Sequence, residues 1–549
     1  MKLMHKVKNK LTIGLIVLLG LMGISTELND FEIAKNLEIF SNIYRELNTF
    51  YVDEVDPEYL METGVNAMLN SLDPYTTYIP ADEVAQFRST ITGKYGGVGA
   101  SIIRGEDHVI ISLPYEGGPA QRAGLQVGDK MLEIDGQNVI GASMQEVSNK
   151  MRGQANSSVT IKIARTGSSE PLAFTLKREE IKVNNTPYYG MLEGDLAYIV
   201  LNSFSENAGK NVAKALTELK ESNTVKGVVL DLRGNTGGLL TEAVNVANVF
   251  LDKGSMVVQI KGRDKEGQQV FRTLNNPVDN EIPVCVLIDK RSASASEIVA
   301  GAIQDLDRGV IVGQRSYGKG LVQNTRNLSF GAKIKLTTAR YYIPSGRCIQ
   351  ALHYKNGKPK QIVDSVRTPY ETMGGRLVYD GGGINPDVVV DNLSFLKIMK
   401  SFQKNLYLFD FATAYQLKHK TIAKPSEFRL TDQDFEDFLT FLNQKGYTYQ
   451  TEAEKLLVAL EKSAKKETYS EALNNELEDI KEVLSSSRQG ELVKQKDRIL
   501  NTLQRLIVAR YYFERGALET ASDLDAELQQ ARQLLTNSAT YEKILAPVK

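Results

Sequence analysis

The run 290-KRSASASEIVAGAIQDLDRGVIVGQRSYGKGLVQ-323 sets the architecture of the middle of this chain. Before it stands Val284-Cys285-Val286-Leu287-Ile288, an unbroken apolar stretch that reads as a strand buried on both faces. Alternating Ser and Ala follow, and their small side chains let the chain turn tightly and let a second backbone approach. A helix opens at about Ser296-Glu297, and another buried strand, Val310-Ile311-Val312-Gly313, comes after it. Strand, helix and strand in this order is the unit of a parallel α/β sheet. A serine at such a strand-to-helix turn sits where the first helix amides can stabilise a developing oxyanion.

The same α/β texture extends from about Asn185 to Asn392, with Leu196–Val200 and Gly227–Leu232 as further strands. Between Gly93 and about Val183 it gives way to short strands and Gly-rich turns, with a helix over Ser143–Met151 and a strand over Val159–Arg165. Nearer the N-terminus, Ile33, Leu37, Phe40, Tyr44 and Leu47 recur at steps of three and four, predicting an amphipathic helix with one buried face. A second helix is expected from Pro57 to Leu72, stopping before Asp73-Pro74. Beyond Leu393 the pattern is helical. Phe435, Phe438, Leu439, Phe441 and Leu442 share a face, and the region from Glu452 to Leu545 is rich in Glu, Lys, Leu, Gln and Ala, reading as a bundle without catalytic groups.

At 549 residues the chain is too long for one core, and about 150 residues per domain implies three or four. With 66 basic against 67 acidic residues, charge gives no reason to expect nucleic acid or an anionic membrane surface as a partner. Cys285 reads as a buried strand thiol, and a disulfide to Cys348 stays open. No metal-type Cys/His spacing appears, so neither metal nor organic cofactor is expected. The first 30 residues carry Lys2, His5, Lys6, Lys8 and Lys10, then an apolar run of 14 residues from Leu11 to Ile24. That is the pattern of an export signal, short for a spanning helix. Gly23-Ile24-Ser25-Thr26 is no clean small-x-small site, so a cleaved signal and a retained membrane anchor both stay open. Export to a periplasm or cell envelope is expected, with membrane contact through this segment alone.

Which base would activate a serine in the Ser/Ala turn? The four histidines are His5, in the signal; His108, in a β-turn; His353, in a Lys-rich loop; and His419, in the helical tail. A histidine base is poorly supported. Lys319, between Gly318 and Gly320 and downstream of a buried strand, draws attention instead. A lysine acts as a base only when neutral, so its reference pKa of about 10.4 has to fall, which burial in a dry pocket can achieve.

Two resemblances sharpen this. The stretch 118-GPAQRAGLQVGDKMLEIDG-136, preceded by Gly96-Gly97-Val98-Gly99, resembles a PDZ domain in its order of turn, helix and strand. That resemblance implies a groove binding an extended C-terminal peptide as an added strand, with Gly97, Val98, Gly99 and Ala100 as the loop that receives its carboxylate. The run Ser292-Ala293-Ser294-Ala295-Ser296-Glu297, then Tyr317-Gly318-Lys319-Gly320, then Gln323, resembles the carboxyl-terminal processing (tail-specific) proteases, peptidase family S41. In that family the middle serine is the nucleophile, with a lysine 25 residues later and a glutamine four beyond, and Ser294, Lys319 and Gln323 meet both spacings. The resemblance spans roughly residues 33 to 390.

By that resemblance Ser294 attacks, Lys319 is the base and Gln323 holds the lysine amine, while Ser292 and Ser296 read as turn and cap residues. Ala295 supplies one oxyanion-hole amide. The loop 231-DLRGNTGG-238 supplies the other through Gly237, with Gly238 close behind, and Thr236 stands where the family usually has proline. By the same resemblance Arg152, at the end of the PDZ-like helix, would link peptide occupancy to the active site as a PDZ switch does in some relatives, and a solvated surface arginine fits the position equally well.

The resulting expectation is a multi-domain α/β protein. It has a signal or anchor (1–30), an N-terminal helical segment (31–90), an inserted β-rich PDZ domain (91–183), a crotonase/ClpP-like protease core (184–392) and a helical C-terminal domain (393–549). It would cut exported proteins that present free, apolar C-terminal tails. Self-association into a homo-oligomer and an internal core explain the amphipathic ends equally well. Two rivals are a catalytically silent PDZ adaptor on the same scaffold and an acyl-coenzyme A enzyme, the latter disfavoured by the export signal.

Overall fold

A computed structural model describes residues 30–263, 268–390, 393–447, 452–467, 470–520 and 525–547, so the expected export signal lies outside the described residues. The chain divides into two compact units. The smaller comprises residues up to Pro80 with Thr325–Leu336 and Tyr354–Pro359. It holds a helix over 30–50 and a second, Pro57–Asn70, capped by Asp56, which accepts from the Glu58 and Tyr59 amides. The strand Thr77–Ile79 pairs antiparallel with Lys333–Lys335. The first helix forms as expected, but the face predicted to be buried is exposed, Leu37 keeping 64% of its surface. Periodicity reports amphipathicity and says nothing of what covers the apolar stripe.

The larger unit begins with the β-rich insertion. Ala100–Arg104, Val109–Pro114, Lys130–Ile134, Ser158–Ala164 and Leu172–Lys177 form one sheet in chain order. Alternate residues turn inward, so Val109, Ile111, Met131, Ile161 and Ile163 are fully buried. Met144–Met151 closes the core with Val147 and Met151; its start is fixed by a capping box in which Ser143 and Glu146 accept from each other's amides.

The α/β core is a sheet in the order Tyr188–Leu192, Leu196–Val200, Gly227–Asp231, Val284–Ile288, Val310–Gly313, Val388–Val389. The first pair is antiparallel and the others are parallel. Its central strands are buried end to end, which is why they read as continuous apolar runs. Ala208–Ser222, Leu240–Ala247 and Ala295–Asp305 cover one face. Ala526–Thr536 and Ser538–Leu545 cover the other with Leu528, Ala531, Leu534 and Tyr541. The end of the helical tail therefore completes the sheet's core: Tyr541 Oη bonds both the amide and the carbonyl of Val284, each at 3.0 Å. The remaining tail helices build their own core, in which Phe435, Phe438 and Leu442 are buried as expected and Leu439 and Phe441 half-buried. Cys285 and Cys348 are both free thiols; burial pushes Cys285 well above the ordinary range and raises Cys348.

Candidate active site

Ser294 stands between Val284–Ile288 and the helix Ala295–Asp305, with φ 57° and ψ −113°. A non-glycine residue held there is strained, and such strain persists where the surroundings over-determine the backbone. The surroundings are specific. Ser292 Oγ donates to Leu232 O and Ser296 Oγ to Asn235 O, both at 2.8 Å, so the flanking serines brace the turn; the helix N-cap is Ser294, and Ser296, expected as a cap, is a brace instead. Asp289 Oδ1 accepts from the Gly234, Arg291 and Ser292 amides. Ser294 itself is half-buried, and the helix leaving it is buried throughout.

The residue that joins the site is Glu297. Its Oε2 accepts from the Ser294 amide at 2.8 Å and the Lys319 amide at 2.9 Å. Its Oε1 accepts from Ser316 Oγ at 2.5 Å and the Gly318 amide at 2.6 Å. One fully buried carboxylate thus brings the serine turn and the Gly-Lys-Gly turn, 25 residues apart in sequence, to a common point. Ser316 Oγ accepts from the Ile384 amide, so its hydrogen is committed to Glu297. Lys319 is half-buried, and its neighbours are pinned, Gly320 donating to Gln350 Oε1 at 2.7 Å and Gly318 accepting from Ala351. Gln323, on the strand Leu321–Asn327, donates to Thr337 Oγ1 at 3.3 Å. His353 is exposed and offers no rival base in a buried site.

The sequence marks Glu297 only as a residue of a helix start. An S-x-x-E pattern is an ordinary capping signature, and three of the four donors come from residues 19 to 22 positions downstream. Burial pushes the Glu297 carboxyl above the usual range, while the donors from Ser316, Lys319, Gly318 and Ser294 oppose the rise. Glu297→Gln would set an N–H₂ group among four donors. Turnover is expected to fall about 100-fold, as for an ångström-scale misplacement of reacting groups. Because the folded value is raised, the folded state holds this proton more tightly than the unfolded chain does. The stability of wild type relative to Glu297→Gln is therefore greatest in acid and declines as pH rises past the ordinary Glu range; denaturant titrations across that range check the slope.

The second loop, Asp231 to Gly238, lies against the first. Asn235 organises it: Nδ2 donates to Leu201 O, Oδ1 accepts from the Gly237 amide at 2.9 Å, and its carbonyl accepts from the Ala293 amide at 3.0 Å. These bonds hold the loop without a proline, and Thr236 is exposed. Gly237, at φ 101°, packs so closely that a Cβ there would stand 2.8 Å from Ser294 Cβ and 3.0 Å from the Ala295 nitrogen. Among the described residues, neither the Ala295 nor the Gly238 amide has a protein acceptor.

In the β-rich insertion, a cavity of 380 Å³ is lined by Val98, Ala100, Ile102, Tyr115 and Met151, with Arg152 at its edge. Gly97 and Gly99 shape the turn beside it, Gly99 accepting from the Tyr115 amide. The Arg152 guanidinium lies 4.7 Å over the Tyr95 ring and donates to Ser89 Oγ at 3.1 Å. Ser203 and Ser205 of the α/β core line the same cavity. Phe204, between them, donates to Gly237 O at 3.1 Å and accepts from the Leu239 amide at 2.8 Å. One residue, Phe204, separates the cavity wall from the loop beside Ser294.

Three family profiles match: Peptidase family S41 over residues 195–356, a PDZ domain over 110–165, and the C-terminal helical domain of a PDZ-protease family over 398–535. A carboxy-terminal-processing protease of Bartonella bacilliformis is 36% identical over 345 residues, covering 62% of this chain and 78% of that protein. A CtpA-like serine protease of Staphylococcus aureus is 33% identical over 334 residues, covering 60% of this chain and 65% of that one. The solved photosystem II D1 C-terminal processing protease is 29% identical, with a TM-score of 0.36, over 64% of this chain and 92% of its own.

Proposed function

Because the chain belongs to peptidase family S41, the carboxy-terminal-processing serine proteases, we propose that it cuts with a Ser294–Lys319 dyad and takes substrates by their free C-terminal tails. The observation that carries this reading is the Glu297 carboxylate, which accepts from the backbone amides of both members of the dyad.

Ser294 Oγ attacks the scissile carbonyl carbon while neutral Lys319 takes the serine proton and then passes it to the leaving amine. Gln323, four residues on, orients the lysine amine. The oxyanion forms at the N-terminus of Ala295–Asp305, where the Ala295 amide is one donor. The Gly237 amide is already held by Asn235 Oδ1, so the exposed Gly238 amide supplies the other, with Gly237 allowing the approach. Water, deprotonated by Lys319, then releases the acyl-enzyme.

The tail docks in the cavity beside Val98 and Ala100, its carboxylate on the turn that Gly97 and Gly99 shape, as an added strand. Arg152 and the segment Ser203–Ser205 carry occupancy towards Gly237. Arg152→Ala is expected to leave basal hydrolysis of a tail-less peptide unchanged and to cut its stimulation by a free tail peptide at least about fivefold, the low end of a coupling energy between sites. Equal stimulation of both proteins would remove Arg152 from the path. The substrates are exported proteins, a reading supported by the basic-then-apolar start of the chain. N-terminal sequencing of protein recovered from the cell envelope reads whether that segment is cleaved.

Mass spectrometry of products from an unfolded substrate with an apolar tail tests the whole reading. Wild type should yield internal cleavage products, fewer when the tail carboxylate is amidated, and Ser294→Ala should yield none. The same products from both proteins would end it.

A further inference from the structure

We propose that the C-terminal helical region clamps the active-site loop, with Asp525 as a positioning residue that acts through Arg233 on residues 231–238. This rests on the reading that the loop faces Ser294 and supplies an oxyanion donor.

Arg233 stands two residues past the strand Gly227–Asp231. Its Nη2 donates to Asp231 Oδ2 at 2.6 Å and its Nε to both Asp231 oxygens at 3.0 and 3.1 Å. Tyr198 Oη donates to the same Oδ2 at 2.8 Å. Nη1 donates the other way, to Asp525 Oδ1 at 2.8 Å and, more weakly, to Glu527 Oε2 at 3.5 Å, residues 292 and 294 positions along the chain. Asp525 also caps Ala526–Thr536, accepting from the Leu528 amide at 3.0 Å. One carboxylate therefore ties the start of a C-terminal helix to the loop beside the serine. The Arg233, Asp231 and Asp525 side chains keep only 17%, 6% and 8% of their surface. Burial raises the Asp525 carboxyl, and Arg233, with the Leu528 amide and Arg505, more than offsets it, leaving it below the usual range.

Docking of the helix does not need this pair. Leu528, Ala531, Leu534 and the two Tyr541 bonds to Val284 already seat it on the sheet. The pair is aimed at the loop. Loss of the Asp525 charge leaves a buried guanidinium under-compensated, and the loop can relieve that by carrying Arg233 towards water. The next links are Gly234 on Asp289 and Asn235 on Leu201 and Ala293, and then Gly237 against Ser294. A shift at Arg233 reaches Gly237, four residues later, which packs against the nucleophile Ser294.

Asp525→Asn tests the clamp, since asparagine keeps the helix cap and removes the charge. With a tail-bearing peptide, kcat is expected to fall about tenfold with KM within about twofold of wild type. Hydrogen exchange of the segment 232–240 should rise in parallel, a readout that needs no turnover. Asp525→Glu should restore most of the rate. Tyr541→Phe, which weakens docking of the same helices away from Arg233, should lower the melting temperature and leave kcat unchanged. If Asp525→Asn is not recovered folded, Glu527→Gln is expected to give a milder loss of about threefold with the same exchange signature. Unchanged kcat and exchange in these variants, or an equal kcat loss in Tyr541→Phe, would overturn the clamp. Activity surviving in Ser294→Ala would bear on the nucleophile instead, and the exchange measurement would still read the clamp.

Discussion

Ser294→Ala and Lys319→Ala are each expected to lose about 10⁴-fold or more in kcat/KM, and the double variant to lose no more than the worse single one. The non-additivity follows from the roles. An alcohol without its base is a poor nucleophile, and a base without the alcohol has no proton to take, so either loss removes the same step. Glu297 makes the shared role concrete, because it holds the Ser294 and Lys319 backbones on one oxygen. Lys319→Arg separates a base from a fixed positive charge. A guanidinium stays protonated throughout the working pH range, so it can assist electrostatically but cannot accept the serine proton. Lys319→Arg is therefore expected to be as inert as Lys319→Ala in a continuous peptide assay. Retention of more than about a tenth of the rate by the arginine protein would show that the lysine works as a charge, and the dyad would have to be abandoned.

Much of this was legible in the chain. The strands Leu196–Val200, Val284–Ile288 and Val310–Gly313 fall where the apolar runs put them, because a strand buried on both faces has no polar position to blur its ends. Ser292 and Ser296 read as turn and cap residues, and the structure makes them braces instead, since small hydroxyls at a strand-to-helix turn find backbone carbonyls. Partners distant in sequence were hidden. Nothing local in Glu297 announces Ser316, Gly318 and Lys319, and nothing local in Asp525 announces Arg233. The tail's helical periodicity was visible, but it does not say that Leu528 and Tyr541 face the protease sheet while Phe435 and Phe438 face each other. The helix over 30–50 shows the reverse failure, an apolar stripe correctly found and assigned to a core that the described residues do not provide.

Gly237→Ala is the other change expected to cost the most. At φ 101° any side chain is strained, by about 1–2 kcal/mol. Its Cβ would also stand 2.8 Å from Ala293 O, 2.8 Å from Ser294 Cβ and 3.0 Å from the Ala295 nitrogen. Backbone and nucleophile cannot swing away as a surface side chain can. The serine turn must retreat, and Ser292, Ser296 and Glu297 resist because each bonds it to a buried neighbour. Both halves of the oxyanion site move, and loss of such a donor costs about 10²–10³ in kcat. Gly254→Ala isolates the geometric part: at φ 90° it pays the same backbone strain, with nothing within 4 Å of its Cβ. Both variants should lose stability to denaturant, Gly237→Ala by about 1–3 kcal/mol more from overpacking. Turnover should separate them, wild-type-like in Gly254→Ala and nearly absent in Gly237→Ala, with binding of a fluorescent tail peptide retained in both. If Gly237→Ala kept its turnover while losing the stability, the loop would be a scaffold for the serine turn, and the second oxyanion donor would have to come from elsewhere.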